Sequence, residues 1–588
     1  MGNLIASGQN PGTEYQPAET DGVYHEDREV TVSGSPGSQM YRTYNAQFEI
    51  LGSTWSIQTP GLPAYATVQN PDGSIHYLTS PAKSTWLTSE WVGNGNNAVY
   101  NGVDFGMNPG NSDNSDALQA ALDAAIVAGG GKVFIPSGIY KFKQTVSRTA
   151  LGNEDVGIII EGTAGTELVA DFEATGGKLL SFENFGTRGN GIRIRNLRIS
   201  YATSRHHQAA GPAIYVKDCE NVSVDQVYFA DCPGAFVDDG KALQCGLADC
   251  TIDYAIGAND QVMVVFTGAE NYIHNCIIRQ APLGPQKIPT NCTGIEIRSA
   301  SEPYITNTHI SDFDTGVSLV GEGSNPIAGH FSNLGCQSNV SSVSVVPAAS
   351  GGKIHQVFFD NCVFALTHDS HAVSPGVKID TSGGPNSDVS DIHFSNCIWY
   401  DWRGPAIEIH AGQDIIVNGC RIGSCALGST DTGGLAITGT ATNITVCATD
   451  CSGTVPGGKG QQPYAISVTA AVAGLYVRSC NLSGNAVGAL YVGAASGTQI
   501  VITDCPGYND RNTRLNGGLA PTAPLSAAEC PSPYFGPSLI SFAHSEELKV
   551  HISGKGFMMK FGTLYLARPL DRIYFESAKP SDFAWLGK

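Results

Sequence analysis

The stretch Ile392-His-Phe-Ser-Asn-Cys-Ile-Trp399 carries a pattern that recurs along much of the chain. A short β-branched run is followed by Asn, Asp or a small residue, then by Cys, and then by a second apolar pair. The Cys of this pattern recurs at Cys250, Cys276, Cys362, Cys397, Cys420, Cys480 and Cys505. Two further copies have Thr308 and Leu334 in place of the Cys. Because the copies are about 20 to 35 residues apart, the pattern indicates the successive coils of a solenoid.

A second pattern accompanies the first and consists of a small residue followed by alternating apolar and variable residues. Examples are Ala213-Ile-Tyr-Val-Lys217, Gly294-Ile-Glu-Ile-Arg298, Gly376-Val-Lys-Ile-Asp380 and Ala406-Ile-Glu-Ile-His410. Alternation with a period of two directs one set of side chains inward and the other outward. Two short strands per coil are too few to bury a core, so the coils must stack. The sequence therefore predicts an all-β fold, a parallel β-helix.

Composition limits the classes of partner. The chain has 588 residues, 70 of them Gly, and a net charge of -20 with 33 Lys and Arg. A solenoid grows by adding coils, so this length does not require several cores. Nucleic acids and anionic membrane surfaces both require a basic footprint, which this composition does not provide. The sequence therefore predicts neither as a partner.

The sixteen Cys residues allow two interpretations. About half lie at one repeated coil position, which predicts a ladder of buried, free thiols about 4.8 Å apart. The alternative is that some form disulfides or hold a metal. We expect no metal and no cofactor. The first residues have no basic and apolar signal segment, which predicts export by a route other than a signal peptide.

Three regions are predicted. Residues 1–98 form a leader, or adaptor, with a small β unit around the turn Asn70-Pro-Asp-Gly73. Residues 99–508 form the β-helix, which begins with a capping segment at 103–140. Within that segment, Ser115 or Asp116 caps a helix over 117–127 that covers the open end of the coils. Residues 509–588 form a strand-rich C-terminal module.

The capping segment resembles a known superfamily. Val103-Asp-Phe-Gly106, the helix, Gly129-Gly-Gly131 and Val133-Phe-Ile-Pro-Ser-Gly-Ile-Tyr140 are similar to the opening of pectate-lyase-superfamily proteins, which include phage tailspikes and family 28-like glycosidases. The resemblance implies a right-handed parallel β-helix. It does not fix a reaction, because that superfamily hosts lyases, hydrolases, transferases and non-enzymes.

The C-terminal module resembles the small β-sandwich that closes many phage and prophage tail appendages. The similar residues are Gly507-Tyr508-Asn509 and the later Ile552-Ser-Gly554 and Trp585-Leu-Gly587. This resemblance implies a homotrimer in which the module serves trimerisation or glycan binding. It also implies a location in the virion tail, with the N-terminal leader attached to a phage tail or baseplate.

The outward positions of the second pattern predict a groove with stacked charges. The candidate catalytic residues are Glu296, Arg298, Asp380, Glu408 and His410, with Asp238 and Asp239 as further candidates. Glycoside hydrolysis requires two carboxyl groups about 5 to 9.5 Å apart. On adjacent coils, Asp380 and Glu408 are predicted to form a pair with the short spacing of retaining enzymes. The alternative is that these outward charges only solvate the sheet.

Other residues suggest lyase chemistry or substrate binding. A lyase requires a base beside a group that neutralises a uronate carboxylate, and Arg298, Lys378 and His410 suit those roles. The acidic net charge makes a polyuronate the less natural partner. Candidate substrate-binding residues are Trp399, Tyr400, Trp402 and Arg403, with Lys378 and Tyr215. Exposed rings provide platforms for sugar faces, although Trp399 packing inward, with only Trp402 exposed, fits the sequence equally well.

These observations together predict a phage-type tailspike depolymerase that binds and cleaves a bacterial capsular or exopolysaccharide by hydrolysis. The site motifs of polygalacturonases and pectate lyases are absent, so no catalytic residue follows from the resemblance. The alternatives are a polysaccharide lyase or transferase of the same fold and a non-catalytic glycan-binding adhesin.

Overall fold

A computed structural model of the chain describes residues 98–508, apart from the short segments 152–155, 173–175, 187–190, 203–210, 255–259, 281–290, 299–300, 323–325, 338, 349–350, 367–372, 382–386 and 494–498. Outside this range it describes backbone strands only. The chain divides into two units. The smaller unit comprises residues 1–100, 123–133 and 156–159, and the larger comprises 101–122, 134–155 and 160–588.

The smaller unit contains a four-stranded antiparallel sheet and a hairpin. The sheet strands are Asn3–Ile5, Val30–Ser33, Ser38–Tyr44 and Gln47–Ile50. The hairpin pairs Tyr65–Gln69 with Ile75–Thr79, on either side of the turn sequence from which it was predicted. The short strand Val99–Asn101 precedes a 3-10 helix, Gly102–Phe105.

The larger unit contains two long parallel sheets that run coil by coil. The first, which we call the groove sheet, takes one strand from each coil, and every strand pairs in parallel with that of the next coil. Its strands are Val146–Thr149, Leu180–Glu183, Ile214–Lys217, Phe236–Asp239, Val262–Phe266, Thr293–Ile297, Thr315–Leu319, Ser341–Val345, Val377–Ile379, Ile407–Ile409, Gly433–Ile437, Tyr464–Val468, Gly488–Val492 and Thr513–Leu515.

The second sheet, which we call the back sheet, takes one long or two short strands from each coil. Its strands within the larger unit are Gly138–Phe142, Thr166–Ala170, Ile192–Tyr201, Val222–Ala230, Gly246–Ala248, Thr251–Tyr254, Tyr272–His274, Ile277–Gln280, Ser301–Thr306, His309–Ser311, Ile327–Ser332, Gly335–Gln337, Lys353–Asp360, Val363–Ala365, Asp388–Ser395, Ile398–Tyr400, Gly412–Asn418, Arg421–Gly423, Ala441–Cys447, Val472–Arg478 and Gln499–Thr503. The strands Gly131–Phe134 and Ile158–Glu161 have residues in both units. The predicted parallel β-helix is confirmed.

The corner before each predicted Cys explains the first sequence pattern. The residue before the Cys has a positive φ, for example 54° at Asn275 and 56° at Asn396. Asn and Asp adopt this left-handed conformation more readily than other residues with a Cβ atom. The following Cys then points into the core, where Cys276 and Cys397 are buried and free. The predicted ladder of free, buried thiols is confirmed for these coils.

The helix spans Ser115–Val127, and Leu118, Ala121 and Leu122 are fully buried on its apolar face. Ser115 and Asp116, the expected caps, are the first two residues of the helix itself and do not precede it. Asp113 accepts hydrogen bonds through Oδ1 from the Ser115 N–H at 2.9 Å and from the Lys143 N–H at 3.1 Å. This carboxylate therefore ties the start of the helix to the strand Gly138–Phe142 and the turn that follows it.

The C-terminal segment contains a five-stranded antiparallel sheet, described here by itself. Its strands are Cys530–Pro531, Ser538–Ile552, Lys555–Leu566, Arg572–Phe575 and Asp582–Trp585. The long central strands Ser538–Ile552 and Lys555–Leu566 pair with each other. The three region boundaries drawn from the sequence remain predictions.

Candidate active site

Four of the predicted residues meet on the outer face of the groove sheet, and we call them the central quartet. Lys378 lies opposite Glu408 in the register of two neighbouring strands. Asp380 and His410 each follow two residues later, so they lie on the same outer face in a second column. Asp380 is only 4% exposed, whereas His410 is exposed. Glu408 thus lies beside Lys378 in the first column, and Asp380 lies beside His410 in the second.

Two contacts orient the carboxylates of the quartet. Lys378 Nζ lies 3.3 Å from Asp380 Oδ2. From the next coil, the Thr438 hydroxyl donates to Glu408 Oε1 at 2.9 Å, and His410 Nδ1 lies 3.3 Å from the same hydroxyl. Because the single hydroxyl proton goes to Glu408, His410 must donate to Thr438 through Nδ1.

The register changes the predicted spacing of the two carboxylates. Asp380 and Glu408 lie on adjacent coils, but they are diagonal to each other and not directly opposite. A strand spacing of about 4.8 Å and a two-residue rise of about 6.6 Å separate their Cα atoms by about 8 Å. This Cα separation exceeds the single strand spacing from which the retaining pair was predicted. The retaining arrangement of the two carboxyl groups remains a prediction.

Glu296 and Arg298 form a separate pair on the same sheet. Arg298 Nε lies 2.6 Å from Glu296 Oε1. Three strand spacings, through Ser318 and Ser344, separate Glu296 from Lys378. This corresponds to about 14 Å between their Cα atoms. The stacked charges predicted for the groove thus form two separate clusters.

A third polar group, which we call the lower cluster, lies nearer the N-terminal end of the groove sheet. The Tyr215 hydroxyl donates to Asp239 Oδ2 at 2.5 Å, and Lys178 Nζ lies 3.0 Å from the centre of the Tyr215 ring. Burial raises the pKa of Tyr215, and the hydrogen bond to Asp239 raises it further. Burial lowers the pKa of Lys178. The sequence patterns did not identify Lys178, because it lies outside both of them.

Asp238 does not lie on the outer face, which corrects its predicted placement there. In the register of the sheet Asp238 pairs with the inward-facing Val216, and Asp238 is fully buried. It accepts hydrogen bonds from the backbone N–H groups of Thr267 and Gly268 and from the Asn271 side chain. Burial raises the pKa of Asp238 to about 6, against the opposing effect of these hydrogen bonds. Asp238 is therefore shielded from any ligand in the groove.

Trp399 and Trp402 are also core residues, so neither is a sugar platform; Trp399 packs inward as the alternative interpretation predicted, whereas the exposure predicted for Trp402 is wrong. Both are fully buried. Trp399 stacks on Phe364 with ring centres 5.0 Å apart, and Trp402 Nε1 donates to the Phe364 carbonyl at 3.3 Å. Of the same stretch, Tyr400 is half-buried and Arg403 is exposed.

Among the described residues, no three His, Cys, Asp or Glu side chains lie close enough together to hold a metal ion. No helix there is sufficiently long and apolar to cross a membrane.

Comparisons with known sequences match only short stretches. No protein-family model matches the chain. Mannuronan C5-epimerase AlgE1 of Azotobacter vinelandii is 51% identical over 49 residues, which are 8% of this chain and 4% of the epimerase. Alginate lyase 7 of the same organism is 56% identical over 43 residues, which are 7% of this chain and 5% of the lyase. The chain thus covers less than a tenth of either relative.

Solved structures are similar over more of the chain but at low identity. Tailspike protein 3 of bacteriophage CBA120 is 14% identical with a TM-score of 0.45, over 73% of this chain and 63% of that chain. A mutant tailspike of E. coli bacteriophage HK620, in complex with a pentasaccharide, is 11% identical with a TM-score of 0.47, over 89% of this chain and 98% of that chain. The A-module of mannuronan C-5 epimerase AlgE4 of Azotobacter vinelandii is 15% identical with a TM-score of 0.40, over 71% of this chain and 97% of that chain.

Proposed function

We propose that the protein cleaves a polysaccharide by glycoside hydrolysis at the central quartet. The observation that carries this proposal is the diagonal placement of Asp380 and Glu408, each beside a basic side chain on an outward sheet face. Glu408, oriented by Thr438, activates the attacking water. Asp380, which is nearly excluded from solvent, donates the proton to the leaving oxygen.

We also propose that the substrate is a bacterial capsular or exopolysaccharide and that the protein is a homotrimeric tailspike depolymerase in a phage tail. The resemblance of the capping segment and of the C-terminal module supports this proposal, as does their order along the chain. Attachment to the tail or baseplate would then fall to the N-terminal leader.

The lower cluster favours a second candidate function, lyase cleavage of a uronate-containing glycan. Lys178, whose pKa is lowered, would take the proton next to the uronate carboxylate while the bond to the leaving oxygen breaks and a carbon–carbon double bond forms. Tyr215, whose pKa is raised, would give its proton to that oxygen. Lys217, on the same face, would neutralise the uronate carboxylate.

Four variants distinguish the two candidates on a panel of purified bacterial polysaccharides. If hydrolysis occurs at the quartet, D380N and E408Q each lower turnover by about 100- to 10,000-fold, because each removes an acid or base. E296Q, a matched change three coils away, and Y215F keep turnover within about two-fold of the unmodified protein. Loss of activity in Y215F, with E408Q fully active, would transfer the reaction to the lower cluster.

A further inference from the structure

We propose a second, non-catalytic binding site for neutral sugars on the back sheet, in a cavity beside Glu167, Arg198 and Tyr228. The choice of a sugar as ligand rests on the proposed function, whereas the site itself rests on its own geometry. It lies on the other sheet from the central quartet. We call it the back-sheet cavity.

The cavity has a volume of about 840 Å³. Small-molecule sites usually have volumes of about 300 to 1,000 Å³. Its lining combines the carboxylates of Glu161 and Glu167, the amides of Asn196 and Gln226, and the ring of Tyr228. Such a lining of alternating hydrogen-bonding groups and one aromatic surface matches a molecule with hydroxyl groups around an apolar ring face.

The polar groups beside the cavity have hydrogen-bonding capacity to spare. Glu167 Oε1 accepts from the Ser200 hydroxyl at 2.7 Å and lies 3.3 Å from Arg198 Nε. Both contacts use Oε1, so Glu167 Oε2 remains to accept from a ligand. Within the described residues, Arg198 forms its ion pair with Glu167 through Nε, so its Nη groups remain as donors. Two neighbouring sugar hydroxyls fit this pairing, one donating to Glu167 and one accepting from Arg198.

The Tyr228 ring is fixed before any ligand arrives. Its hydroxyl donates to Asp253 Oδ2 at 2.9 Å, and the Arg198 guanidinium lies 5.1 Å from the ring centre. Asp253 is itself held by Arg279 Nη2 at 2.8 Å. A ring held at its hydroxyl and over one face loses little conformational freedom on binding, which favours affinity.

The opposite wall of the cavity is also rigid. The Thr166 hydroxyl donates to the Ile135 carbonyl at 3.0 Å and accepts from the Thr163 N–H at 2.9 Å. At Gly162 a Cβ atom would lie 2.7 Å from the Asn196 carbonyl oxygen, so the wall packs directly on the next coil. The cavity is therefore pre-formed and does not need to open.

The test uses the full-length protein and saturation-transfer NMR with a set of neutral di- to tetrasaccharides of glucose, galactose, mannose, rhamnose and N-acetylglucosamine. We expect at least one sugar to give saturation-transfer signals with the unmodified protein. The Y228A variant should bind that sugar about ten-fold more weakly, because the stacking surface is lost. Y228F retains the ring and should retain binding. The matched control is Y476A, because Arg478 lies 5.6 Å from the Tyr476 ring on the same sheet, far along the stack.

Each outcome decides the proposal. Unchanged signals in Y228A, or no signal from any sugar with the unmodified protein, would overturn it. E408Q, which changes the groove, should leave these signals intact. If no polysaccharide is ever cleaved but the signals respond to Y228A, the proposed function fails while the back-sheet site stands.

Discussion

Thr438 donates a hydrogen bond from its hydroxyl to Glu408 Oε1 across two neighbouring coils, at 2.9 Å. The same hydroxyl lies 3.3 Å from His410 Nδ1. The Thr438 side chain therefore fixes both the orientation of the Glu408 carboxylate and the tautomer of the His410 imidazole. Thr438 touches no substrate in this account and is a positioning residue for the proposed base.

Replacing Thr438 by Val is therefore expected to lower kcat by about ten-fold while leaving KM nearly unchanged, because orientation is lost and binding is not. Steady-state kinetics on the cleaved polysaccharide measure both constants. T469V is the matched control, because Thr469 directly follows the next strand, Tyr464–Val468, and among the described residues its hydroxyl bonds only to the Ile437 carbonyl, at 3.3 Å. Equal losses in the two variants would mean that the threonines serve stability alone.

Asp238 is expected to make stability depend on pH. Burial raises its pKa from an ordinary value of 3.8 to about 6, so its stabilising contribution is complete below about 3.8 and is lost as the pH rises through about 6. D238N lacks this titration. The free energy of unfolding of the unmodified protein should therefore fall, relative to D238N, by about 2 kcal/mol between pH 4 and pH 7.

Urea unfolding midpoints at several pH values measure this difference. D104N, a change at an exposed Asp, should follow the unmodified protein at every pH. A constant gap between D238N and the unmodified protein would contradict the burial argument.

Cys505 is expected to be the most reactive of the described thiols. Its hydrogen bond with the Cys480 side chain lowers the pKa of Cys505, and the Cys480 N–H donates to its Sγ at 3.4 Å. Iodoacetamide labelling at neutral pH, located by peptide mass mapping, should modify Cys505 first. Cys447 is the control, since it is also half-buried but its pKa is raised by burial. Faster labelling of Cys447 would contradict this prediction.

The corner residue Asn333 is expected to tolerate Gly better than Val. Its φ is 54°, and its amide donates to Asn307 Oδ1 at 2.9 Å. N333G loses only this hydrogen bond, about 1 kcal/mol, whereas N333V adds backbone strain of about 1 to 3 kcal/mol. Thermal unfolding should rank N333V below N333G. N418V, at an exposed Asn in an extended strand, should change little, and a drop as large as that of N333V would count against the strain argument.

The coils, the thiol ladder and the outward columns could be predicted from the sequence because each depends on one residue type at a fixed position of the repeat. The predicted placement of Asp238 was wrong because the alternation of inward and outward residues was assigned one residue out of register. Ala235-Phe-Val-Asp-Asp239 contains two adjacent apolar residues, so either phase of alternation fits, and a shift by one residue exchanges the two faces. Alignment with Ala213-Ile-Tyr-Val-Lys217 would have placed Phe236 and Asp238 inward.

Other features of the site depend on contacts that no local pattern records. Trp399 is buried because its ring stacks on Phe364 of the preceding coil. The diagonal relation of Asp380 and Glu408 depends on the register between coils of unequal length. Lys178 reaches Tyr215 from outside the strand pattern. Each of these requires the three-dimensional register of the coils.

Hydrolysis of a glycosidic bond is tested by digesting purified bacterial capsular and exopolysaccharides in heavy-oxygen water and measuring the product masses. Each new reducing end should carry one heavy oxygen, because water is the nucleophile. Products that carry no heavy oxygen and are lighter by one water would contradict hydrolysis and indicate elimination instead.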